Sequence, residues 1–371
     1  MKRKLMTKRV SHSIAAIFLM SCLLLTGCSS ATKAPSSSAS SIPATRVVQD
    51  GNGKDVTIPY TVTRVAPGIG AFAQMTEMLG GKGTIVASVT NLSNEFKKVF
   101  PDFLQSNPTG RNSANIEDII AAKAQVVYGP TYTDDQIAQL KAAGIAVVPI
   151  KAFSTVEEMK KDVLIIASIL GGDAPAKAAK FNEYYDGNIK YVQDKISSLN
   201  EKNKVKILSL NYSAGNYSTI NSTDIGSVYM VAAGGINVAS EYKGLQGGST
   251  GTTMNVNAEQ IIKWAPDVIV TSSKDSKAQI LKDATVATVP AVKNKKVYVV
   301  PTGTYLWSVR SGEGALQPLW LAKTMYPDIF SDLDMSAKVK DFYKTFYGYD
   351  IQQDEINAIL NGDIAMVTLT K

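Results

Sequence analysis

The stretch NIEDIIAAKAQVVY, Asn115 to Tyr128, is repeated as NAEQIIKWAPDVIV, Asn257 to Val270. Without gaps the two copies share Asn, Glu, Ile, Ile and Val at five of fourteen positions, and a sixth position exchanges Val for Ile. In each copy Asn-x-Glu precedes a short helical segment that leads into an apolar strand. Asn can cap such a helix and Glu can lie at its positive end, so the residue preferences of helix starts are one explanation of the shared residues. The other is an internal repeat, which predicts two similar units in one chain.

Alternating strand and helix patterns continue on both sides of the two copies. In the first half a hairpin signal, VVQDGNGKDVTIP, is followed by helices and by the strands TIVASV, VVYGP and IAVVPI. The second half restarts with KVKILSLNY, DVIVTSS and KVYVVP. Short apolar strands separated by helices predict a mostly parallel, covered sheet of the α/β class. A chain of 371 residues has room for two domains of ordinary size.

One long amphipathic helix is predicted between the halves, from Asp173 to Asn200. Its apolar residues recur at steps of three and four, namely Phe181, Tyr184, Tyr185, Ile189, Val192, Ile196 and Leu199. An unbroken helix would run about 40 Å, although Gly187 falls in its middle. We expect this spine to limit hinge motion between an N-terminal α/β lobe, 46–172, and a C-terminal α/β lobe, 201–371.

The first 27 residues are expected to be a secretory leader. MKRKLMTKRV is a positive segment, IAAIFLMSCLLL is a short apolar segment, and a small-residue cleavage site follows. LTGC, Leu25 to Cys28, has the form of a bacterial lipobox, in which Cys28 would be acylated and anchored in a membrane. An ordinary signal peptide with an incidental Cys is the alternative. The Ser/Ala/Pro-rich segment 28–45 predicts a flexible tether between the membrane and the fold.

Removal of the leader changes what charge and composition imply. The formal charge of +7 includes five Lys and Arg of residues 1–27, so the mature chain carries about +2 and no nucleic-acid partner is expected. His12 and Cys22 also lie in the leader, which leaves Cys28 as the only thiol and no histidine. A mature chain of this composition cannot run a Ser-His-Asp or Cys-His mechanism or build a histidine-based zinc or haem site.

Several motifs, in this order, resemble the substrate-binding lipoproteins of ABC importers for iron-siderophores, haem and cobalamin. They are the lipobox and tether, VAPGIGAFAQMTEMLGG, both Asn-x-Glu units, VPAVKNKKVYVVP and LWLAKTMYPDIF. The resemblance covers essentially the whole mature chain. It implies two Rossmann-like α/β lobes joined by one long α-helix, with the ligand in the cleft between the lobes. It also implies a monomeric, lipid-anchored receptor on the extracytoplasmic side of a bacterial membrane.

The partners implied by the resemblance are an ABC permease dimer with its ATPase. In that family one surface glutamate of each lobe docks onto basic residues of the permease. The matching positions here are Glu117 and Glu259, the Glu of each Asn-x-Glu unit. Exposed ion pairs contribute only about 0–1 kcal/mol each, so these two would set orientation more than affinity.

The ligand is expected to meet loops at the carboxyl ends of the strands. Only four arginines lie in the mature chain, and two of them, Arg111 and Arg310, fall in such loops, one in each lobe. Arg offers a planar, always charged fork to oxygen-rich anions, and aromatic rings offer flat apolar area to a bulky chelate. For Arg310 the alternatives are a salt bridge to Glu313 or a contact with the start of the following helix, and for Trp307 the alternative is packing under its loop. The predicted ligand-binding residues are Arg111, Tyr132, Tyr212, Tyr217, Thr253, Tyr305, Trp307 and Arg310.

We expect a ferric siderophore as the ligand and a receptor that is not an enzyme. The chelator already saturates the iron, so no direct protein–metal bond and no resident cofactor are needed. A molybdate or tungstate oxyanion is the second expectation, because GGSTGTTMN, residues 247–255, is rich in hydroxyl groups. Haem and cobalamin come third, since the mature chain lacks a His ligand and the Trp that cobalamin binders place before the second Asn-x-Glu unit. A lipid-anchored enzyme is least favoured, because the paired carboxylates Asp134 and Asp135 fit a helix start.

Overall fold

The computed structural model describes residues 43–105, 107–108, 115–130, 132–247 and 252–368. The predicted leader, Cys28 and Arg111 lie outside these residues. The strands are β1 (Thr45–Gln49), β2 (Asp55–Pro59), β3 (Val65–Pro67), β4 (Ala87–Ser88), β5 (Asn91–Ser93), β6 (Asn107–Pro108), β7 (Val126–Gly129), β8 (Ala146–Pro149), β9 (Lys206–Ser213), β10 (Asn216–Ile220), β11 (Ile236–Asn237), β12 (Thr253–Val256), β13 (Val268–Thr271), β14 (Val297–Val299) and β15 (Met366–Thr368). The α-helices are α1 (Gly70–Met78), α2 (Asn94–Val99), α3 (Ile116–Ala121), α4 (Asp134–Ala142), α5 (Val156–Leu170), α6 (Ala174–Ile196), α7 (Ile225–Ala232), α8 (Ala258–Trp264), α9 (Lys274–Lys282), α10 (Pro290–Lys293), α11 (Gln317–Met325), α12 (Met335–Phe342) and α13 (Gln353–Leu360). A π-helix, Tyr343–Tyr347, continues α12.

The N-terminal lobe is built on a parallel sheet in the order β3-β7-β8. Every residue of β7 is buried, as expected for a central strand with cover on both faces. The predicted hairpin is present as the antiparallel pair β1 and β2. Because the three sheet strands are parallel, the segments that follow them meet at one edge of the lobe. This edge carries Gly68 after β3, Tyr132 after β7 and Phe153 after β8.

The C-terminal lobe has a mixed sheet in the order β12-β10-β9-β13-β14, with β11 also paired to β9. Strands β9, β11, β13 and β14 run parallel, whereas β10 and β12 run antiparallel to their neighbours. The antiparallel part arises because NYSAGNYS turns back on itself at Ala214 and Gly215, whose φ angles are 49° and 85°. Two successive residues with positive φ are typical of the tight turns in hairpins. The sheet is therefore less purely parallel than the sequence predicts.

Helix α6 connects the two lobes and runs from Ala174 to Ile196, inside the segment predicted from 173 to 200. The lobes share more than this helix, because one core cluster contains Phe72 of α1, Phe181 of α6 and Leu316 of the C-terminal lobe. Strand β15, near the end of the chain, also pairs with β5 of the N-terminal lobe. The structure thus has the predicted α/β architecture with two lobes and a connecting helix. Among the described residues, no helix combines the length and apolar character needed to cross a bilayer.

Candidate functional site

A loop of the C-terminal lobe, residues 301–311, lies against the edge of the N-terminal lobe where the parallel strands end. Tyr305 of this loop contacts the start of α1, because a Cβ atom added to Gly70 would lie 2.8 Å from the Tyr305 ring. Arg310 donates a hydrogen bond from Nε to the carbonyl oxygen of Phe153 at 2.6 Å. The 301–311 loop is therefore a boundary between the lobes, as its place after β14 predicted.

Arg310 is the cationic group of this boundary. It is half-buried, and the bond to Phe153 is its one hydrogen bond to the described residues. Within the same part of the chain it forms no ion pair, so the predicted alternative of a salt bridge to Glu313 is not present. The two terminal amino groups of the guanidinium are consequently left to interact with a ligand. A guanidinium with both amino groups available can bind two oxygen atoms of an anion at once.

A cavity of about 170 Å³ lies beside Arg310, at the carboxyl ends of the C-terminal lobe strands. The start of α7 closes one side, since a Cβ atom on Gly226 would lie 3.0 Å from the carbonyl oxygen of Ser308. The polar residues that line the cavity are Ser209, Asn211, Asp224, Thr253, Thr271, Ser272, Ser308, Arg310 and Gln317. Convergence of several polar groups on a concave site at strand ends is typical of ligand binding in α/β folds.

Two amides in the cavity have unused hydrogen-bonding groups. Asn211 accepts through Oδ1 from the backbone nitrogen of Ser272 at 2.8 Å and from the Thr271 hydroxyl at 3.0 Å. These bonds orient Asn211 and leave its amide nitrogen without a partner among the described residues. Gln317, 2 % exposed at the start of α11, has a side-chain oxygen with no partner in the described part of the chain. The Asn211 amide nitrogen can therefore donate to an anionic ligand, whereas the free Gln317 oxygen can only accept a hydrogen bond.

Asp224 is the acidic residue of the cavity wall, and its carboxylate is already engaged. Its Oδ1 accepts from the backbone nitrogen of Gly226 at 2.8 Å and caps α7. Its Oδ2 accepts from the hydroxyl of Thr252 at 2.7 Å. A helix-capping carboxylate interacts favourably with the helix start, which reduces its cost beside an anion.

Two tyrosines predicted for the site lie along the N-terminal lobe edge. The Tyr132 hydroxyl lies next to Gly68, where a Cβ atom would be 2.9 Å from it, and it has no partner among the described residues. Burial raises the pKa of Tyr132 above its ordinary range. Burial also raises the pKa of Tyr305 to about 12, and the nearby Arg310 opposes the rise. Both hydroxyls stay protonated at neutral pH, so they can donate hydrogen bonds to a ligand.

Trp307 does not lie on a cleft wall. It is fully buried, and its indole Nε1 donates to Oε2 of Glu313 at 2.7 Å. The prediction that its ring faces a ligand does not fit this position, whereas the alternative of packing beneath the loop does. The indole turns inward because a buried carboxylate offers the hydrogen bond that a buried indole needs.

Tyr212 and Tyr217 lie on a different surface from Arg310. They are opposite each other in the β9–β10 hairpin, with ring centroids 4.9 Å apart and an edge-on contact. The Tyr217 hydroxyl donates to Oδ2 of Asp283 at 2.7 Å. Both line an open groove of about 580 Å³ that shares no lining residue with the Arg310 cavity. The structure therefore does not bring these two predicted residues to the site.

Glu117 and Glu259 have equivalent local positions in the two lobes. Each follows an Asn that caps a helix: Asn115 accepts from the backbone nitrogen of Glu117 at 2.8 Å, and Asn257 from that of Gln260 at 2.9 Å. Both glutamates are exposed in the first turns of α3 and α8. The repeat thus presents one exposed carboxylate on each lobe.

The sequence analysis missed Asn211, Ser272 and Gln317. Each is a polar residue near the end of a strand or at the start of a helix, and such positions are commonly polar without any ligand. A positional signal was available for Asn211 and Ser272, since both follow apolar strand residues at the edge where ligands bind. Gln317 had none, because its burial depends on the packing of α11.

The family profile and the relatives found by comparison with known proteins point to the same family. The sequence profile of the periplasmic binding proteins matches residues 70–303. The molybdate-binding protein MolA of Haemophilus influenzae is 27% identical over 346 residues, which cover 84% of this chain and 93% of MolA. The ABC transporter substrate-binding lipoprotein YvrC of Bacillus subtilis is 25% identical over 331 residues, covering 86% of this chain and 98% of YvrC.

Solved structures show the same similarity. A periplasmic solute binding protein from Veillonella parvula has a TM-score of 0.72 at 27% identity, covering 85% of this chain and 97% of its own. The molybdate-bound structure of MolA also has a TM-score of 0.72, at 25% identity, and covers 83% of this chain and 99% of its own.

Proposed function

The chain belongs to the periplasmic binding protein family, as the substrate-binding protein of an ABC importer, and from this we propose that it captures a small oxyanion of the molybdate class. The observation that carries the proposal is Arg310, a half-buried guanidinium with one bond to Phe153 and no carboxylate partner among the described residues. An unpaired cation in a partly desolvated site is costly unless an anion joins it. A tetrahedral oxyanion would satisfy both amino groups of the guanidinium.

The size of the cavity favours a small ligand. Drug-sized molecules occupy roughly 300–1,000 Å³ in their binding sites. The cavity beside Arg310 measures about 170 Å³, and the 301–311 loop is held to the N-terminal lobe around it. A ferric siderophore would need a wider cleft and therefore separation of the lobes. A tetrahedral oxyanion would need neither.

The chemistry of the wall supports an oxygen-rich ligand. Besides Arg310, the Asn211 amide nitrogen is a neutral donor on the cavity wall, and the Thr253 and Ser272 side chains also line it, the Ser272 hydroxyl donating to Asn211 Oδ1 at 2.8 Å. The similarity to a molybdate-binding protein over most of both chains supports the same ligand class.

The ferric siderophore expected from the sequence is the second candidate. It is favoured by the two protonated tyrosines, Tyr132 and Tyr305, whose rings and hydroxyls lie along the N-terminal lobe edge. Such groups suit the organic rim of a chelate. Binding of this kind would require the 301–311 loop to leave Phe153.

Isothermal titration of the purified chain from residue 46 onward tests the two candidates against each other. The ligands are molybdate, tungstate, sulfate, a ferric hydroxamate, a ferric catecholate, haem and a corrinoid. We expect saturable binding of molybdate and tungstate and none of the chelates. Binding of a chelate with no response to either metal oxyanion would overturn the oxyanion proposal.

Delivery of the ligand is proposed to follow the family pattern. The exposed Glu117 and Glu259 would each contact one half of an ABC permease, with its ATPase on the other side of the membrane. Cys28, if acylated, would anchor the chain on the extracytoplasmic side of a bacterial membrane, with 28–45 as the tether. The protein acts as a monomeric receptor with no catalytic step and no resident cofactor.

A further inference from the structure

Glu313 is a fully buried carboxylate at the end of the 301–311 loop. Its Oε1 accepts from the backbone nitrogen of Thr304 at 2.9 Å and from the Thr304 hydroxyl at 2.6 Å. The hydroxyls of Tyr343 and Tyr347 also donate to Oε1, at 3.1 and 3.0 Å, and Trp307 donates to Oε2. A buried carboxylate is tolerated when several donors surround it, so the loop and the π-helix are arranged around this one group.

Gln74 joins the same cluster from the opposite lobe. It is fully buried in α1, and its Nε2 donates to the Thr304 hydroxyl at 2.8 Å and to the Tyr347 hydroxyl at 3.0 Å. Its Oε1 accepts from the backbone nitrogen of Gly312 at 2.7 Å and from the Ser311 hydroxyl at 3.2 Å. One amide of the N-terminal lobe thus holds both ends of the 301–311 loop.

The segment between these two attachments contains Arg310, the cation that lines the proposed oxyanion cavity. Near the first attachment, the Ser93 hydroxyl donates to the carbonyl oxygens of Gly303 and Thr304 at 2.7 and 2.9 Å. Near the second, Arg310 is one residue before Ser311. Besides the bond from Arg310 to Phe153, the conformation of the segment therefore depends on bonds made by Gln74, Ser93 and Glu313.

We propose that Glu313 and Gln74 form an interlobe latch that positions Arg310 for ligand binding. Glu313 is a positioning residue, since it reaches the ligand only through the loop it fixes. The latch keeps the guanidinium preorganised, which reduces the ordering cost of binding. This inference rests on the proposed function for its ligand, but the latch itself is a property of the ligand-free chain.

Two substitutions break the latch from opposite lobes. Glu313→Gln places an amide group where the five donors need a carboxylate, so at least one donor loses its acceptor. Gln74→Met keeps similar volume and removes all four bonds of the amide. The matched control is Glu355→Gln. Glu355 is also buried in the C-terminal lobe, where it pairs with Lys98 of the N-terminal lobe and accepts from Tyr349 at 2.9 Å and from the Gln352 backbone. It therefore makes an interlobe contact of its own but no bond to the loop.

Hydrogen–deuterium exchange of the ligand-free protein measures directly how firmly the latch holds residues 301–314. We expect peptides covering 301–314 to exchange at least tenfold faster in Glu313→Gln and Gln74→Met, while peptides from β7, β9 and β13 keep their rates. The Trp307 indole N–H, assigned among three Trp by a Trp307→Phe spectrum, should lose protection in Glu313→Gln. Glu355→Gln should change neither readout. Faster exchange spread evenly over both lobes, or none at 301–314, would overturn the latch.

Molybdate titration of the same variants measures whether the latch positions Arg310 for ligand binding. We expect at least tenfold weaker binding in both latch variants and a change within twofold in Glu355→Gln. Affinity within twofold of wild type in both latch variants, with faster loop exchange, would overturn the positioning role. If wild type binds no oxyanion, the proposed ligand class fails, and the titration is repeated with whichever chelate binds.

Discussion

Arg310 of the C-terminal lobe and Phe153 of the N-terminal lobe are joined by a 2.6 Å hydrogen bond from guanidinium Nε to a backbone carbonyl. This bond uses the donor on the stem of the side chain and leaves the two terminal amino groups for a ligand. It also ties the ligand-facing cation to the opposite lobe. The proposed ligand contact and the observed interlobe contact therefore fall on one residue.

Replacement of Arg310 should weaken oxyanion binding strongly. Hydrogen bonds to charged groups contribute about 1.5–3 kcal/mol each, so Arg310→Ala should cost roughly 2–4 kcal/mol, or about 30- to 1,000-fold in Kd. Arg310→Lys should recover part of the loss, since Lys supplies a charge but neither the fork nor the Nε donor. Isothermal titration with molybdate measures both.

The matched control for this prediction is Arg64→Ala. Arg64 also donates from Nε to a backbone carbonyl, that of Lys123, at 3.0 Å, but it lies at the opposite ends of the strands from the cleft. Its removal should leave the Kd within twofold. Equal losses in Arg64→Ala and Arg310→Ala would show that a general loss of fold, and not a ligand contact, is being measured.

Substitution of Tyr217 should change stability and leave ligand affinity as it is. Tyr217→Phe removes the hydrogen bond to Asp283, worth about 0.5–1.5 kcal/mol, on a groove separate from the Arg310 cavity. Urea unfolding should show that loss, while the molybdate Kd should stay within twofold. A tenfold change in Kd would mean that the β9–β10 hairpin is part of the binding site.

Charge reversal at both repeat glutamates should abolish uptake without affecting ligand binding. Glu117 and Glu259 are exposed, and neither lines the Arg310 cavity. In a transport assay with the cognate permease, Glu117→Lys/Glu259→Lys should transport no ligand and bind it with wild-type affinity. Glu183→Lys/Glu241→Lys changes two other exposed glutamates by the same charge and should transport normally.

The sequence was sufficient for the architecture because its signals are local. The repeated Asn-x-Glu helix and strand, the hairpin at Asp50–Gly53 and the amphipathic run of α6 are all set by neighbouring residues. The position of Arg310 followed from its place after an apolar strand. The direction of Trp307 did not, because it depends on Glu313, whose burial depends on Tyr343 and Tyr347.

The error at Tyr212 and Tyr217 was one of turn chemistry. Ala214 and Gly215 form a two-residue turn with positive φ, and a short segment with Gly between two β-type runs favours a hairpin over an open loop. Attention to that signal would have placed both tyrosines on strands facing each other. Gln317 remains beyond sequence reasoning, and for Asn211 the sequence signals the position at a strand end but not the unused amide nitrogen, which is defined only by packing.

Glu77 should make the protein less stable as pH rises. It is 4 % exposed at the end of α1, and neither carboxylate oxygen has a partner among the described residues. Burial raises its pKa from 4.5 to about 8; nearby Asp102 adds to the rise and Lys82 opposes it. Glu77 lines a second cavity, separate from that of Arg310, together with Lys177 and Lys180 of α6. The native state therefore holds a proton on Glu77 that the unfolded chain has already released.

The sign follows from which state binds more protons. Below about pH 4.5 both states hold the proton, so Glu77 has no destabilising effect there. Between about pH 4.5 and 8 only the native state does, and the free energy of unfolding falls by about 1.4 kcal/mol per pH unit from this residue. Above about pH 8 both states are ionised and the loss is complete.

Glu77→Gln removes this titration and keeps the shape of the side chain. The stability of the variant minus that of wild type should increase by on the order of 3 kcal/mol from pH 5 to pH 8, measured by urea unfolding. Asp162, whose pKa burial raises to about 7, adds a slope of the same sign, but it is present in both proteins and cancels in the difference. A difference that stays constant across this range would mean that Glu77 is ionised in the native state, held by Lys82 or by a lysine of α6.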